Sequence, residues 1–387
     1  VSDDARVVGG ILWIDVGAVV ANWRLLAARA RPAACAAVIK ADAYGLGVDR
    51  LFPALRSAGC RSFFVATIDE ALALTRLRTG AAEPDPADAA DALPPSTATT
   101  VFVLNGLFPG SEAEIVAHDL TPVLNSLADV DRWAAYARSR ERPLPAVLHL
   151  DTGMSRLGLP PAELDRLADD PDRLRGLRLS LVMSHLACAD EPAHPLNAAQ
   201  LGRFRAALTR LPPAGASLAN SGGIFLGPAF HGDLVRPGIA LYGGAPQATG
   251  PNPMQPVVRL DARILQVREI DAGQTVGYGA THKSPGRARI ATVGVGYADG
   301  LLRSLSNRGS GHIGDHAAPL VGRVSMDLTT FDVTDVPEAE ARPGAFIELI
   351  GPHRPLDRVA EEAGTIGYEL LTALGRRYHR VYSGGGR

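Results

Sequence analysis

Eight short apolar runs punctuate the first two-thirds of this chain, and segments of helical spacing separate them. The runs cover 36–39, 63–66, 101–105, 121–124, 146–151, 179–184, 217–220 and 234–236. Between two of them, Leu201, Phe204, Leu208 and Leu211 recur at gaps of three and four, which stacks them on one helix face. Residues 70–77 form a second such segment. Eight strands alternating with helices read as a (β/α)8 barrel of the TIM type. An open doubly wound sheet is the alternative, and the count of eight favours the barrel.

The rhythm changes after about residue 246. Segments 259–270, 289–295 and 345–350 are rich in β-branched residues, with Gly, Pro and Asp between them, and helical periodicity returns only at 368–378. The expected organisation is therefore α/β: an N-terminal segment 1–10, a barrel over 11–245 and a mostly β domain over 246–387. The boundary falls near 244–256. The Ala, Pro and Asp run at 80–96 buries too little apolar surface to offset ordering and reads as a surface insertion. The tail 383–387 reads as frayed.

Charge excludes some functions. With 39 basic and 41 acidic side chains the net charge is −2, which leaves no footprint for nucleic acid or an acidic membrane. No apolar run reaches the roughly 18 residues of a membrane span. No signal-peptide pattern opens the chain, so a cytoplasmic protein is expected. Cys35, Cys60 and Cys188 lack C-x-x-C spacing, and no metal site is expected.

The basic residues hold the sharpest clue. Lys40 and Lys283 are the only lysines, against 37 arginines. A lysine kept in such a chain reads as one needed for its amine, because guanidinium is a very poor nucleophile. Lys40 ends the first barrel run, where barrel enzymes carry their chemistry. Desolvation there lowers an amine's pKa and suits it to Schiff-base formation. Lys283 sits in a Gly- and Pro-rich stretch and reads as exposed. Loops after the seventh and eighth strands commonly bind phosphate, and Ser221, Gly238 and Ile239 fit that pattern.

The segment VIKADAYGLG, residues 38–47, resembles the cofactor-binding segment of the alanine racemases, fold type III pyridoxal-phosphate enzymes. The resemblance runs along almost the whole chain. It implies a barrel followed by a β domain, with pyridoxal 5'-phosphate held by Lys40 and Tyr44 touching its phosphate. Further matching segments are LHLDTGMSRLG (148–158), SHLACAD (184–190), SLANSGG (217–223) and LVRPGIALYG (234–243). By resemblance Arg156 meets the cofactor's phenolic oxygen and the substrate carboxylate. Asn220, Ser221, Gly238 and Ile239 lie on the cofactor's phosphate side, and Arg236 faces its pyridine nitrogen. Arginine can only donate, so it would keep that nitrogen unprotonated and favour reprotonation over transamination. Many family members carry a carbamylated lysine two residues before the Asp of the 148–158 segment, where this chain has His149, so no carbamate forms there.

Reversing configuration at Cα requires an acid/base on each face. The resemblance assigns one face to Lys40 and the other to Tyr278 of the partner subunit, in GYGATH (277–282), through a chain of Tyr278, His185 and Arg236. Tyr297 and Met326 resemble substrate-side positions that also come from the partner, and Tyr368 an access or phosphate-side tyrosine. The implied protein is a homodimer with shared sites that interconverts L- and D-alanine, a peptidoglycan precursor. A serine racemase, a non-catalytic cofactor-binding barrel and a metal-dependent aldolase are the alternatives. The β-domain segments count against the second, and the lack of clustered metal ligands against the third.

Overall fold

The computed structural model describes residues 8–79 and 99–384. The insertion at 80–96, most of the N-terminal segment and the last three residues of the tail lie outside the described residues.

Barrel strands overlap all eight apolar runs, the run 217–220 at Ser217 alone. They are β2 (Ala34–Cys35), β3 (Ala37–Val38), β4 (Ser62–Val65), β5 (Thr100–Val103), β6 (Leu120–Leu124), β7 (Leu144–His149), β8 (Leu177–Met183), β9 (Gly215–Ser217) and β10 (Leu234–Val235). β2 precedes the 36–39 run, and Ala36 separates it from β3. Strands β3 to β9 form a parallel sheet in sequence order, and β10 pairs in parallel with β2. Bonds from Ala36 N to Val235 O (2.9 Å) and Val38 N to Pro237 O (3.0 Å) continue that seam. Asp233 N to Ala216 O (2.7 Å) and Arg236 N to Ala219 O (2.9 Å) join β10 to the β9 side. The ring therefore closes, and the open-sheet alternative falls. Its wall is apolar on both faces, as parallel strands covered by helices must be: Phe63, Phe64, Val101, Val123, Val147 and Leu148 are fully buried.

The helical segments form where their spacing places them, at Ile68–Thr79 and Pro195–Leu208. The first helix, Val16–Ala30, starts at Asp15, whose Oδ1 accepts from Ala18 N at 2.9 Å and so satisfies a donor that has no intrahelical partner.

The second unit is built on β11 (Val258–Ile270), a strand of 13 residues. It pairs antiparallel with Ala288–Val293 and with Phe346–Ile350. It also pairs with β1 (Gly10–Asp15), which in turn runs parallel to His379–Ser383. Residues 11–15 thus lie in the second unit's sheet, which corrects the barrel boundary at 11. The apolar pattern of β1 was satisfied by a partner far along the chain. Two further corrections concern helices. The expected helical stretch 368–378 is Gly367–Ala373 and ends well before Tyr378, and a helix at Leu356–Ala363 precedes it. Lys283 is exposed, in a short strand pairing with Thr275. Among the described residues no helix is long and apolar enough to cross a membrane.

Candidate active site

A cavity of about 930 Å³ opens at the C-terminal ends of the barrel strands. Lys40 lies in its wall just beyond β3. The next four residues, Ala41 to Tyr44, all adopt positive φ of 53–56° before Gly45 closes the turn. Left-handed backbone costs L-residues about 1–2 kcal/mol each, so the surroundings must hold it. Glu70 does part of this, its two carboxylate oxygens accepting from Ala41 N and Ala66 N at 2.7 Å each. Asp42 accepts from Val48 N at 2.8 Å. From the second unit, Arg380 donates to Gly45 O (2.6 Å) and Tyr382 to Leu46 O (3.0 Å). The Lys40 pKa is lowered, first by burial and then by Arg156, with Glu70 opposing, so more of it is free amine near neutral pH.

Tyr44 is buried, stacked on Tyr242 with ring centroids 4.5 Å apart and tilted towards Tyr368 at 5.9 Å. Burial raises both the Tyr44 and Tyr368 hydroxyls, Tyr368 to about 12, so both remain phenols that can donate. The Tyr44 hydroxyl rests against Gly238. Ser221 and Ile239 each open a short helical turn, Ser221–Phe225 and Ile239–Tyr242, where the first amides have no intrahelical acceptor. The Ser221 hydroxyl ties the two turns together by accepting from Gly238 N at 2.9 Å. Asn220 caps the first turn, Oδ1 accepting from Gly223 N at 3.0 Å. Two amide-bearing turns and two phenols therefore form an anion cradle at one end of the cavity.

Arg236 is buried at the end of β10, where its guanidinium donates to Ser217 Oγ and to Ser184 O, the latter at 2.5 Å. Burial pulls its pKa down to about 9, still well above neutral, so it stays a cationic donor. His185 lines the cavity nearby. Burial, then Arg236 and Arg156, hold it well below the usual imidazole range, so it is neutral. Gln200 steadies this strand end, its amide donating to Thr152 Oγ1 (3.1 Å) and His185 O (2.8 Å).

Of the residues singled out in the sequence, Lys40, Tyr44, Arg156, His185, Asn220, Ser221, Arg236, Gly238, Ile239 and Tyr368 line this one cavity. Tyr278, Tyr297 and Met326 do not. They belong to the second unit and are 73%, 43% and 54% exposed. Tyr297 and Met326 are adjacent, since Tyr297 N donates to Ser325 O (3.0 Å) and Ala298 N to Met326 O (2.9 Å). Gly279, beside Tyr278, packs against Arg323 of the same segment. The three are thus grouped on loops sharing one stretch of chain. Sequence reading missed Glu70, Asn125, Ser184, Ser217 and Gln200, which hold the site residues. Ser184 and Ser217 open two of the matched segments, but no local pattern shows these contacts, because each acts on a residue distant in the chain.

A closed α/β barrel with a strand-end lysine, a buried arginine and an anion cradle defines an enzyme of the cofactor-binding barrel class. Residues 14–246 match the family described as "Alanine racemase, N-terminal domain", and 257–382 match "Alanine racemase, C-terminal domain". The chain is 53% identical over 375 residues to an alanine racemase of Rhodospirillum rubrum, covering 97% of this chain and 96% of that one. It is 51% identical to a catabolic alanine racemase of Agrobacterium fabrum, covering 96% and 92%. The crystal structure of alanine racemase from Bartonella henselae with covalently bound pyridoxal phosphate superposes with a TM-score of 0.89 at 41% identity, covering 97% and 99%. The chain belongs to the alanine racemase family, and so to the isomerases.

Proposed function

We propose that this enzyme interconverts L- and D-alanine with pyridoxal 5'-phosphate held at Lys40, by a two-base mechanism in a homodimer with shared sites, and so supplies or consumes D-alanine in the cytoplasm. One observation carries the reading: a single cavity joins the amine of Lys40, the buried Arg236 and the anion cradle at Ser221 and Ile239. The donor set fits the cofactor. The cradle offers amides and phenols to a phosphate, with Asn220 and Gly238 shaping its turns. Arg236, anchored on Ser217 and Ser184, offers a donor and no proton acceptor to a pyridine nitrogen. Bound there, the cofactor supplies an electron sink that acidifies the alanine Cα–H bond.

The chain's own groups do the rest. Lys40 Nζ, its pKa lowered first by burial, takes or gives the Cα proton on one face. Tyr278 of the partner subunit serves the opposite face, and its exposure in the single chain supports a role outside its own barrel. Neutral His185, between Tyr278 and Arg236, relays that proton. Arg156 binds the substrate carboxylate, helped by Tyr297 and Met326 from the partner, and Tyr368 guards the phosphate side. The test is the D/L ratio of alanine, serine and other amino acids incubated with cofactor-loaded protein, together with borohydride fixation of the cofactor and peptide mapping. Convergence to equal amounts of D- and L-alanine with label on the Lys40 peptide is expected. Label on Lys283, or no change in the ratio, overturns the reading.

A further inference from the structure

The loops that carry Tyr297 and Met326 lie side by side on the second unit, and one guanidinium joins them. Tyr297–Asp299 is a short helical turn. Met326 and Asp327 occupy the tip of a tight turn, which Ser325 N closes by donating to Leu328 O at 2.9 Å. At the base of the two loops, Thr329 Oγ1 donates to Val295 O at 2.8 Å. They come closest at Gly296, where a Cβ would lie 2.3 Å from Ser325 O and 2.4 Å from Met326 O. Only a residue without a side chain permits that approach.

Arg377 comes from a third segment, just past the helix Gly367–Ala373 that carries Tyr368. Its Nε and Nη2 donate to the two carboxylate oxygens of Asp299 at 2.6 and 2.8 Å, and its Nη1 donates to Asp327 Oδ1 at 2.7 Å. Asp299 Oδ2 also accepts from Gly296 N at 2.9 Å, so the same carboxylate folds the Tyr297 turn. The two arms of this clamp differ in strength. The Asp327 arm is exposed, and an exposed pair by itself holds little. The Asp299 side chain is only 4% exposed, and a buried carboxylate that loses its cation is strongly destabilised. The backbone repeats the link, with Gly375 N donating to Asp299 O at 2.9 Å. A planar fork anchored on a buried carboxylate therefore reaches out to the tip of the Met326 turn, a geometry that a point-charge ammonium does not reproduce.

We infer that Arg377 is a positioning residue for the other subunit's site: by clamping Asp299 and Asp327 it fixes Tyr297 and Met326 where they reach the substrate in the partner's barrel. This rests on the shared-site reading above. Arg377 is not among the residues that line the cavity of its own chain. Its effect passes through loops lent to the neighbour, so the Arg377 of one chain serves the barrel of the other. Loosening those loops weakens substrate binding in the ground and transition states alike, which is read in KM.

The test combines kinetics with heterodimers. Arg377→Met should raise KM for alanine about tenfold with a smaller change in kcat, as for weakening one hydrogen bond to a charged group. Arg377→Lys keeps the charge without the fork and should fall between that variant and the wild type. Two heterodimers, isolated through different tags on their two chains, each contain one Lys40→Ala and one Arg377→Met substitution and one working barrel. With the substitutions on different chains, the working barrel receives intact loops, and the wild-type KM is expected. With both on one chain beside a wild-type partner, the working barrel receives loosened loops, and KM should match the Arg377→Met homodimer. A merely structural defect would shift both heterodimers alike. If Arg377→Met does not fold, the same pair is made with Arg377→Lys. An unchanged KM in the homodimers, equal KM values in the two heterodimers, or the reverse order overturns the inference. Failure of the underlying reading is distinct: the wild-type protein would leave alanine's D/L ratio unchanged, or Lys40→Ala and Tyr278→Phe chains would not complement each other.

Discussion

The hydroxyl of Tyr44 fills the space that a side chain on residue 238 would need, since a Cβ built on Gly238 would lie 2.2 Å from Tyr44 Oη. Tyr44 cannot retreat, because Tyr242 stacks on its ring. Gly238→Ala therefore overpacks the cradle, a defect costing about 1–3 kcal/mol. Cofactor affinity, followed by fluorescence during dialysis, should fall about tenfold. Adding Tyr44→Phe should cost less than the two losses summed, because the same oxygen is removed or displaced in both. Additive losses would show that the contact does not matter.

Arg236 offers only donors to the cavity. Arg236→Glu places a proton-donating acid where the guanidinium was, and transamination should increase relative to racemisation. Pyruvate formed per D-alanine formed is the measure. An unchanged ratio with intact cofactor binding would remove Arg236 from control of reaction type.

The exposure of Tyr278 bears on assembly. Lys40→Ala and Tyr278→Phe should each be nearly inactive alone. If the tyrosine acts in trans, mixed dimers carry both lesions in one site and none in the other. Reassociated mixtures should then recover roughly a quarter of wild-type activity per site, and pure heterodimers about half, if the sites are independent. No recovery would place the tyrosine in cis.

Acid should unfold this chain sooner than its overall charge implies. The folded-state pKa of His149 is depressed from 6.5 to about 4, so between those values the unfolded chain binds the extra proton. Stability is complete above about pH 6.5 and falls as pH drops towards 4, by up to about 3 kcal/mol from this group. Buried His185 acts in the same direction. Tm measured from pH 7 to 5 should fall less steeply in His149→Gln than in the wild type. Parallel slopes would mean that His149 is already neutral in the unfolded chain or solvated in the folded one.

What the sequence determined alone was the short-range part. Apolar runs and helical spacing report on neighbours within a few residues, so runs overlapping β3 to β10 and the strand-end place of Lys40 could be read directly, while β2 and most of β9 fell outside them. The scarcity of lysine marked that residue out, and motif resemblance marked the rest of the site. Only the tertiary structure decided which distant groups meet. The β1 strand joined the second unit's sheet through pairing with β11, and Trp13 bonds Asp261 across 248 residues. Ser217 and Ser184 hold Arg236, Asn125 bonds His149, and Arg380 braces the left-handed turn after Lys40. The physical reason is closure. A ring of parallel strands brings residues far apart in the chain to one rim, and which side chains then touch depends on register and packing that no local pattern encodes.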